Sequence, residues 1–369
     1  MTRLRIAFLT ELFYPHVGGC ETRYLEIGRR LVAKGHEVHV YTVQYDLSLA
    51  KEDQIDGMHI HRYAHSKKYI SPDGFRSFRG ILKYSFATLK KLKGSKFDVY
   101  YSNQWPMMHS IVAKPVTSPL VQEWCEVWDD LLKVKIMQKM LRHFGDYNVA
   151  VSEFTQQRLI NYLKIKAEKT VIVPNGVNVS RFFNTAEKVR GRIVYAGRIA
   201  HHKHVDLLVD AFREVKKIIP KAELHIVGSG ICIEDIKKRA ADIKDCIIHG
   251  YVSEDEIVEI FKTAWLFVLP SEREGSGIAV MEAMSAGVPF ITADYPNNAS
   301  KEFAQFNCGQ VVEPNENAIA KAIIELYNDE PLWKELSKNA LNVAKTYDWD
   351  MVANQMEAVF EMVVKNSEK

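Results

Sequence analysis

The segment from Pro270 to Met284 holds the densest set of side chains that could bind a substrate. An apolar run ends at Pro270, a loop of small residues follows, and a helical pattern begins near Gly277. The first amides of a helix lack intrahelical partners and favour a phosphate, and ionised carboxylates accept hydrogen bonds from sugar hydroxyls. Glu274 and Glu282 would lie about 12 Å apart along a helix, beyond the roughly 5–9.5 Å of a glycosidase carboxylate pair. We therefore interpret both glutamates as binding groups.

A pair of cations follows another apolar run, which ends in Gly197. Arg198 and Lys203 lie just before a helical pattern, and two cations at the end of a parallel strand could neutralise a diphosphate without a metal. Taken alone, such a pair more often belongs to a solvated loop. Gly18 and Gly19 follow the first apolar run and would let backbone amides approach an anion, although two such glycines, taken alone, more often form a plain turn.

Metal and redox sites have little support in the sequence. Asp348-Trp349-Asp350 has the D-x-D form of a metal site, but it opens an amphipathic pattern, so helix capping explains it better. His201, His202 and His204 lie close together in one loop, and neighbouring residues of one loop rarely coordinate the same ion. The five cysteines (20, 125, 232, 246 and 308) include no C-x-x-C pair and are typical of reduced thiols in a cytosolic protein. We therefore expect no required metal and no cofactor.

The elements that must position these residues alternate along the chain. Apolar strand patterns alternate with helical patterns from Ile6 to about Pro174, and the alternation starts again at Arg192. Apolar strands separated by helices predict parallel sheets covered on both faces, so we expect an α/β protein with two doubly wound, Rossmann-like domains. The turn-rich stretch 175–191 would divide them, and a ligand would bind at the carboxyl ends of the strands. Apolar residues at helical spacing near the C-terminus predict a final packed helix.

The charge of the chain is distributed unevenly. The 369 residues are 47% apolar and 26% charged, with a net charge of +3, yet the stretch 62–96 holds ten Lys or Arg against Asp73 alone. Within it, apolar residues from Phe78 to Leu92 recur at helical spacing beside lysines. This pattern predicts either a basic amphipathic surface for anionic lipid or a core-facing helix with a solvated lysine face. Nucleic acid is a weaker interpretation because the whole chain is only slightly basic, and we expect no nucleic-acid partner.

No apolar run approaches the roughly 18 residues of a spanning helix, and the N-terminus lacks the apolar core of a signal peptide. We therefore expect a cytoplasmic protein, with the basic stretch as a candidate for peripheral attachment at the inner face of the cell membrane.

Together these segments resemble the retaining glycosyltransferases of family 4, which have the glycosyltransferase-B fold. The most specific resemblance is Glu274-Gly275-Ser276-Gly277-Ile278 followed by Glu282-Ala283-Met284, which looks like the paired-glutamate motif of that family. Weaker fragments occur in the same order along most of the chain. They are Pro15 with Gly18-Gly19-Cys20-Glu21, Gly35-His36-Glu37-Val38, Val151-Ser152-Glu153, Pro174-Asn175-Gly176-Val177, Gly197-Arg198 with Lys203, Val227-Gly228-Ser229-Gly230 and His249-Gly250-Tyr251-Val252.

The resemblance implies an N-terminal acceptor-side domain over 1–176, a nucleotide-sugar domain over 177–348, and a helix over 349–369 that crosses back to the first domain. It implies that Arg198 and Lys203 hold the donor diphosphate and that Glu274 binds the donor sugar. It assigns ribose binding to Glu282 and phosphate binding to the amides near Gly277 and Ile278. The implied donor-binding set also contains Gly18, Gly19, Gly228, Tyr251, Val252 and Ser276.

Two positions depart from the family pattern. Asn103 stands in Tyr101-Ser102-Asn103 where the family often has His-x-His, and Cys125 stands where it has its catalytic-site histidine. An imidazole can donate to a sugar hydroxyl, whereas a thiol is a poor donor, and Glu123 or Glu126 could take the place of the histidine.

The resemblance therefore implies a retaining, metal-independent transferase that moves a hexose from a UDP- or GDP-sugar to an acceptor hydroxyl. The basic stretch favours an anionic, lipid-linked or glycan acceptor. The alternatives are a sugar-nucleotide binding protein that has lost catalysis, motivated by Cys125 and Asn103, and an NAD-dependent oxidoreductase. The oxidoreductase is disfavoured because G-x-G-x-x-G is missing after the first strand.

Overall fold

The computed structural model describes residues 3–16, 18–65, 69, 76–128, 132–183 and 186–367. They form two compact units. The first unit comprises Met1–Asn175 together with Trp349–Lys369, and the second comprises Gly176–Asp348.

An eight-stranded sheet forms the centre of the first unit, in the order β3-β4-β2-β1-β5-β6-β7-β8. Its strands are β1 (Arg5–Leu9), β2 (Glu37–Val43), β3 (Glu52–Ile55), β4 (Met58–Tyr63), β5 (Val99–Ser102), β6 (Leu120–Trp124), β7 (Tyr147–Ala150) and β8 (Thr170–Ile172). The helices that follow within this part of the chain are α1 (Gly19–Ala33), α2 (Phe78–Leu92), α3 (Met108–Ala113), α4 (Leu132–Leu141) and α5 (Glu153–Asn161).

One edge of this sheet differs from the parallel arrangement that the sequence predicts. Strand β3 pairs with β4 in the antiparallel direction, through a turn in which Asp56 and Gly57 both have positive φ. The β3 residues are mostly charged or polar and largely exposed. A solvated edge strand has no buried face, so it leaves no alternation of apolar and polar residues for the sequence to reveal.

The second unit contains a six-stranded parallel sheet in the order β11-β10-β9-β12-β14-β16, beside a small parallel pair of β13 and β15. Its strands are β9 (Arg192–Ala196), β10 (Glu223–Val227), β11 (Cys246–Gly250), β12 (Leu266–Leu269), β13 (Arg273–Glu274), β14 (Phe290–Ala293), β15 (Asn297–Asn298) and β16 (Gly309–Val312). Its helices are α6 (Val179–Phe182), α7 (Val205–Ile218), α8 (Ile233–Ala240), α9 (Glu254–Thr263), α10 (Ile278–Ser285), α11 (Glu316–Asn328) and α12 (Glu330–Ala344).

Both sheets are doubly wound, as the sequence predicted. In the first unit β1 lies between β2 and β5, and in the second unit β9 lies between β10 and β12. The strand order therefore reverses between β1 and β5 in the first unit, and between β9 and β12 in the second. Ligands of open α/β sheets bind in the crevice at the carboxyl ends of the strands, where the order reverses. We call these two places the switch points of the units.

The last helix, α13 (Trp349–Ser367), packs on the first unit. Its apolar stripe, which includes Val352, Met356 and Phe360, joins the core on one face of the eight-stranded sheet. The buried carboxylate of Glu357 is hydrogen-bonded to His36 Nε2 at 2.9 Å and paired with Lys34. The terminal helix thus completes the hydrophobic core of the first unit. None of the helices in the described parts of the chain is long and apolar enough to span a membrane.

Helix α2 buries only part of the apolar stripe that its spacing indicated, together with polar residues. Its buried residues are Gly80, Tyr84, Ser85, Thr88 and Leu92. In contrast, Phe78 is 68% exposed and Phe86 is 59% exposed. The exposed face therefore combines aromatic side chains with basic ones, among them Arg79, Lys83 and Lys90.

Candidate functional site

The switch point of the second unit brings Lys203 and Glu274 together. Lys203 ends a short 3₁₀ turn after β9, and Glu274 lies in β13, beyond the end of β12. Lys203 Nζ donates to Glu274 Oε1 over 2.5 Å, and both side chains are largely shielded from solvent. The amide of Glu272 also donates to the carbonyl oxygen of His202 over 2.8 Å, which joins the two loops through the backbone.

Close backbone packing supports the loop that carries Arg198. Gly197 and Gly228 both have positive φ, and a Cβ on Gly228 would meet the Gly197 carbonyl oxygen at 1.9 Å. The amide of Gly197 donates to the Val227 carbonyl oxygen, and that of Ile199 donates to the Ser229 carbonyl oxygen. Gly228 thus has a packing role in addition to the donor-binding role that the sequence predicts. The Arg198 side chain itself is exposed.

Glu274 is positioned by the small sheet and by a buried polar network beneath it. Strand β13 pairs Glu274 with Asn298 of β15. Asn298 Nδ2 donates to Thr292 Oγ1 and to the Ala293 carbonyl oxygen, both over 2.9 Å. Gly277 caps α10 with a φ of +66°, and a Cβ there would meet Ser300 Cβ at 2.8 Å. The first amides of α10, starting at Ile278, therefore lie in the same loop system as Glu274.

Two titratable groups near this switch point have shifted pKa values. Burial, with a smaller contribution from Glu254, raises the pKa of Glu282 to about 7, and Arg181 opposes the shift. The Glu282 carboxylate makes no hydrogen bond or ion pair with any described residue. Burial and the neighbouring cations Lys203 and Arg273 lower the pKa of His202 to about 4, so its imidazole is neutral at pH 7.

The other donor-binding predictions in the second unit lie on nearby loops. Tyr251 and Val252 follow β11, which neighbours β10, and Tyr251 is 75% exposed while Val252 packs partly against the core. Ser276 lies half-buried between Glu274 and the start of α10. The structure thus brings Arg198, Lys203, Glu274 and Gly277 to one switch point, with Tyr251 and Val252 at the end of a more distant strand.

The switch point of the first unit contains a buried ion pair. Arg23 of α1 donates from Nε to Glu123 Oε2 over 2.8 Å, and both side chains are fully buried. Tyr101 also donates to Glu123 Oε2, and Arg23 Nη2 donates to the Val173 carbonyl oxygen over 2.9 Å. Arg23 therefore links α1 to β6 and to the chain beyond β8. No local pattern of residues marks this pair, because its members are 100 residues apart in the chain.

The remaining predicted contacts in the first unit surround this ion pair. Asn103 donates from Nδ2 to Thr10 Oγ1 at 3.1 Å and to Cys20 Sγ at 3.3 Å. The Cys125 thiol donates to Glu123 Oε1 at 3.1 Å, and its Sγ lies 4.0 Å from Cys20 Sγ. Glu123, which the sequence suggested as a sugar contact, therefore accepts hydrogen bonds on both carboxylate oxygens. Glu126 is half-buried beside Gln104, whose Oε1 accepts from its amide.

The glycines at the start of α1 are part of the same switch point. Gly18 is the N-cap of α1 in extended backbone, and Gly19 is its first residue. A Cβ on Gly18 would meet only the flexible carboxylate of Glu21, which is paired with His16 at 3.1 Å. The D-x-D carboxylates lie elsewhere, since Asp348 Oδ2 accepts from the amide of Val179 and Asp350 pairs with Arg30.

Comparisons with known proteins agree with this architecture. Residues 17–181 match the family model described as Glycosyltransferase Family 4, and residues 178–343 match the model described as Glycosyl transferases group 1. Two Rossmann-like units with this strand order define the fold class of the glycosyltransferase-B enzymes. Because the two models together span most of the chain, the protein belongs to the family 4 (group 1) glycosyltransferases.

Individual relatives extend over nearly the whole chain. An uncharacterised glycosyltransferase of Methanocaldococcus jannaschii is 24% identical, over 98% of this chain and 99% of the relative. The alpha-monoglucosyldiacylglycerol synthase of Streptococcus pneumoniae is 23% identical, over 87% of this chain and 78% of that protein. Among solved structures, an Anabaena protein in complex with UDP has a TM-score of 0.74 at 16% identity, covering 97% of this chain and all of that one. These likenesses support the fold and the family.

Proposed function

We propose that this glycosyltransferase moves a hexose from a UDP- or GDP-sugar to a hydroxyl of a lipid-linked or glycan acceptor, with retention at the anomeric carbon and without a metal. The observation that carries the proposal is the Lys203–Glu274 pair at the switch point of the second unit. It combines a cation suited to a phosphate with a carboxylate suited to sugar hydroxyls, beside the N-terminus of α10.

Each role follows from the chemistry of the group. Negative charge builds on the departing nucleoside diphosphate as the bond to the sugar breaks, and fixed cations stabilise that charge without needing to reorganise. Lys203 and the exposed Arg198 supply the cations in this proposal. Glu282, which has no hydrogen bond from the described residues, is available to accept from ribose hydroxyls. A retaining outcome rests on the family resemblance alone.

A thermal-shift panel tests the donor part of the proposal. UDP, GDP, ADP and NAD are each added to the protein, with EDTA and with Mg²⁺. A ligand at a hundred times its Kd stabilises its site by about 2.7 kcal/mol, which raises Tm by several degrees. We expect a shift with UDP or GDP that persists in EDTA, and a smaller one in Lys203→Ala. A shift with NAD alone, or one that needs Mg²⁺, would contradict the proposal.

An activity assay separates the enzyme from a binding protein that has lost catalysis. Transfer or slow hydrolysis of the sugar nucleotide that gives the shift is followed, and the anomeric configuration of the product is read by NMR. We expect turnover in EDTA with an unchanged anomeric configuration. Nucleotide binding without any turnover would favour the inactive alternative, and an inverted product would contradict retention.

The exposed face of α2 supports a membrane-associated acceptor. Phe78 and Phe86 lie in solvent next to Arg79, Lys83 and Lys90, an arrangement that suits insertion into anionic headgroups. The pneumococcal relative is named as a synthase of alpha-monoglucosyldiacylglycerol. We therefore propose peripheral attachment at the inner face of the cell membrane.

Liposome co-sedimentation tests this attachment. Vesicles of neutral lipid with and without phosphatidylglycerol are compared at low and high salt. We expect binding only to the anionic vesicles, weakened by salt and by the double variant Phe86→Ser/Lys90→Glu. The control variant Lys321→Glu makes a similar charge change on an exposed lysine of the second unit and should bind like the unaltered protein. Equal binding to neutral and anionic vesicles, and equal binding by the double variant, would contradict attachment through α2.

A further inference from the structure

The switch point of the first unit holds two thiols and a carboxylate oxygen at close range. Cys20 Sγ and Cys125 Sγ are 4.0 Å apart, and Glu123 Oε1 lies 3.8 Å from the first and 3.1 Å from the second. We call Cys20, Cys125 and Glu123 the thiol cluster. It is the only group of three or more potential metal ligands of this kind among the described residues.

We propose that the thiol cluster is a binding site for Zn²⁺. A tetrahedral zinc site with Zn–S near 2.3 Å and Zn–O near 2.1 Å places its sulfur atoms about 3.8 Å apart and each sulfur about 3.6 Å from the oxygen. The sulfur–sulfur distance of 4.0 Å and the Cys20 Sγ–Oε1 distance of 3.8 Å lie about 0.2 Å above these values, and the Cys125 Sγ–Oε1 distance of 3.1 Å lies about 0.5 Å below. The point equidistant from the three atoms lies about 2.1 Å from each, within the range of zinc–ligand bonds.

The spacing fits an ion better than it fits a disulfide. A disulfide brings its sulfur atoms to about 2.05 Å, so Cys20 and Cys125 would have to close by about 2 Å. A bound ion would leave both thiols near their present positions. Both cysteines are residues of intermediate exposure, while the Glu123 carboxylate is fully buried and held in place.

The charges of the site also suit a divalent cation. Arg23 already neutralises Glu123 through Oε2, and Oε1 of the same carboxylate points at both thiols. On binding, each thiol gives its proton to the solvent and coordinates as a thiolate. Two thiolates and Zn²⁺ together carry no net charge, so the buried site stays neutral beside the Arg23–Glu123 pair.

A fourth ligand is available next to the cluster. Asn103 is almost fully buried and contacts Cys20 Sγ through Nδ2, while its Oδ1 accepts no hydrogen bond from any described residue. A side-chain oxygen or a water molecule could therefore complete the tetrahedron. Soft thiolate ligands favour zinc over Mg²⁺, which prefers oxygen ligands. The site proposed here is thus distinct from a magnesium site for transfer.

Metal titration of the intact chain tests this proposal without relying on activity. The protein is freed of metal, kept reduced, and titrated with Co²⁺, whose thiolate complexes have a strong sulfur-to-metal charge-transfer band. We expect the band to saturate at one Co²⁺ per chain and to disappear when Zn²⁺ is added. Elemental analysis after dialysis against Zn²⁺ should also find one retained ion per chain.

Matched cysteine variants locate the site. Cys20→Ser and Cys125→Ser should each abolish the band and lower zinc affinity at least tenfold. Cys246→Ser alters a half-buried cysteine in the second unit and should leave the charge-transfer band and the zinc affinity unchanged. Circular dichroism confirms that each variant is folded. The proposal is wrong if the unaltered protein gives no charge-transfer band, or if the folded Cys20→Ser/Cys125→Ser double variant keeps it. Zinc retention without the band would indicate histidine sites instead.

Discussion

The two units have the same doubly wound topology, yet their switch points carry different chemistry. In the second unit, exposed or partly exposed groups (Arg198, Lys203 and Glu274) meet on loops beyond the strands. In the first unit, a fully buried ion pair, Arg23 and Glu123, lies beneath two thiols and an amide. Charges that solvent still reaches, such as Arg198 and the Lys203–Glu274 pair, can exchange their partners for a ligand, whereas the fully buried Arg23–Glu123 pair fixes neighbouring groups in place. The comparison therefore separates a proposed binding surface from a structural support.

The largest expected difference between the units is in stability. Arg23→Met leaves Glu123 buried without its cation, which costs about 3–5 kcal/mol. Arg181→Met removes a comparable arginine in the second unit, but its pairs with Glu254 and Asp255 are exposed to solvent and contribute about 0–1 kcal/mol. Chemical denaturation of both variants measures the difference. An equal loss of unfolding free energy in the two variants would contradict the view that the first switch point is structural and that the Arg181 pairs are surface interactions.

The next expected effect concerns turnover. Lys203→Ala and Arg198→Ala each remove a cation from the proposed diphosphate site, and we expect each to lower kcat/KM roughly 10²-fold, or about 2.7 kcal/mol. Arg198→Ala should change stability little because Arg198 is exposed, whereas Lys203→Ala leaves the shielded Glu274 carboxylate without its cation and should cost more. Lys221→Ala, at an exposed lysine of the same unit, is the control. Wild-type rates in both site variants would show that the diphosphate binds elsewhere.

The smallest expected effect is a pH-dependent one at Glu282. Its pKa of about 7 in the folded chain lies above the usual 4.5, so ionisation opposes folding. The cost is absent below pH 4.5, grows as the pH rises and is complete above pH 7. The full difference corresponds to about 3.4 kcal/mol, and partial exposure of Glu282 reduces it, so Glu282→Gln should stabilise the second unit by about 2 kcal/mol at pH 8 and by almost nothing at pH 4.5. Thermal unfolding at the two pH values measures this, and equal effects at both would show that burial does not shift this carboxyl.

Much of the fold could be predicted because apolar patterning is a local property. Strands β4 (Met58–Tyr63) and β6 (Leu120–Trp124) fall within the alternation that the sequence predicted, since a buried strand needs apolar residues whatever its neighbours are. Strand β3 was missed because a solvated edge strand needs no such residues. For α2 the sequence left open an exposed amphipathic surface and a core-facing helix, and only the structure shows that Phe78 and Phe86 are exposed. Tyr84 and Thr88 turn inward there through hydrogen bonds, which apolar spacing does not record.

The sequence by itself determined the class of fold, the order of the elements and the loops that follow each strand. Those features depend on residues close together in the chain, as in the segment from Glu274 to Glu282. Only the tertiary structure decided which distant groups meet. Arg23 reaches Glu123, and Cys20 approaches Cys125, because α1 packs where β5 and β6 end. Such long-range contacts depend on the winding of the whole sheet, and no local pattern of residues encodes them.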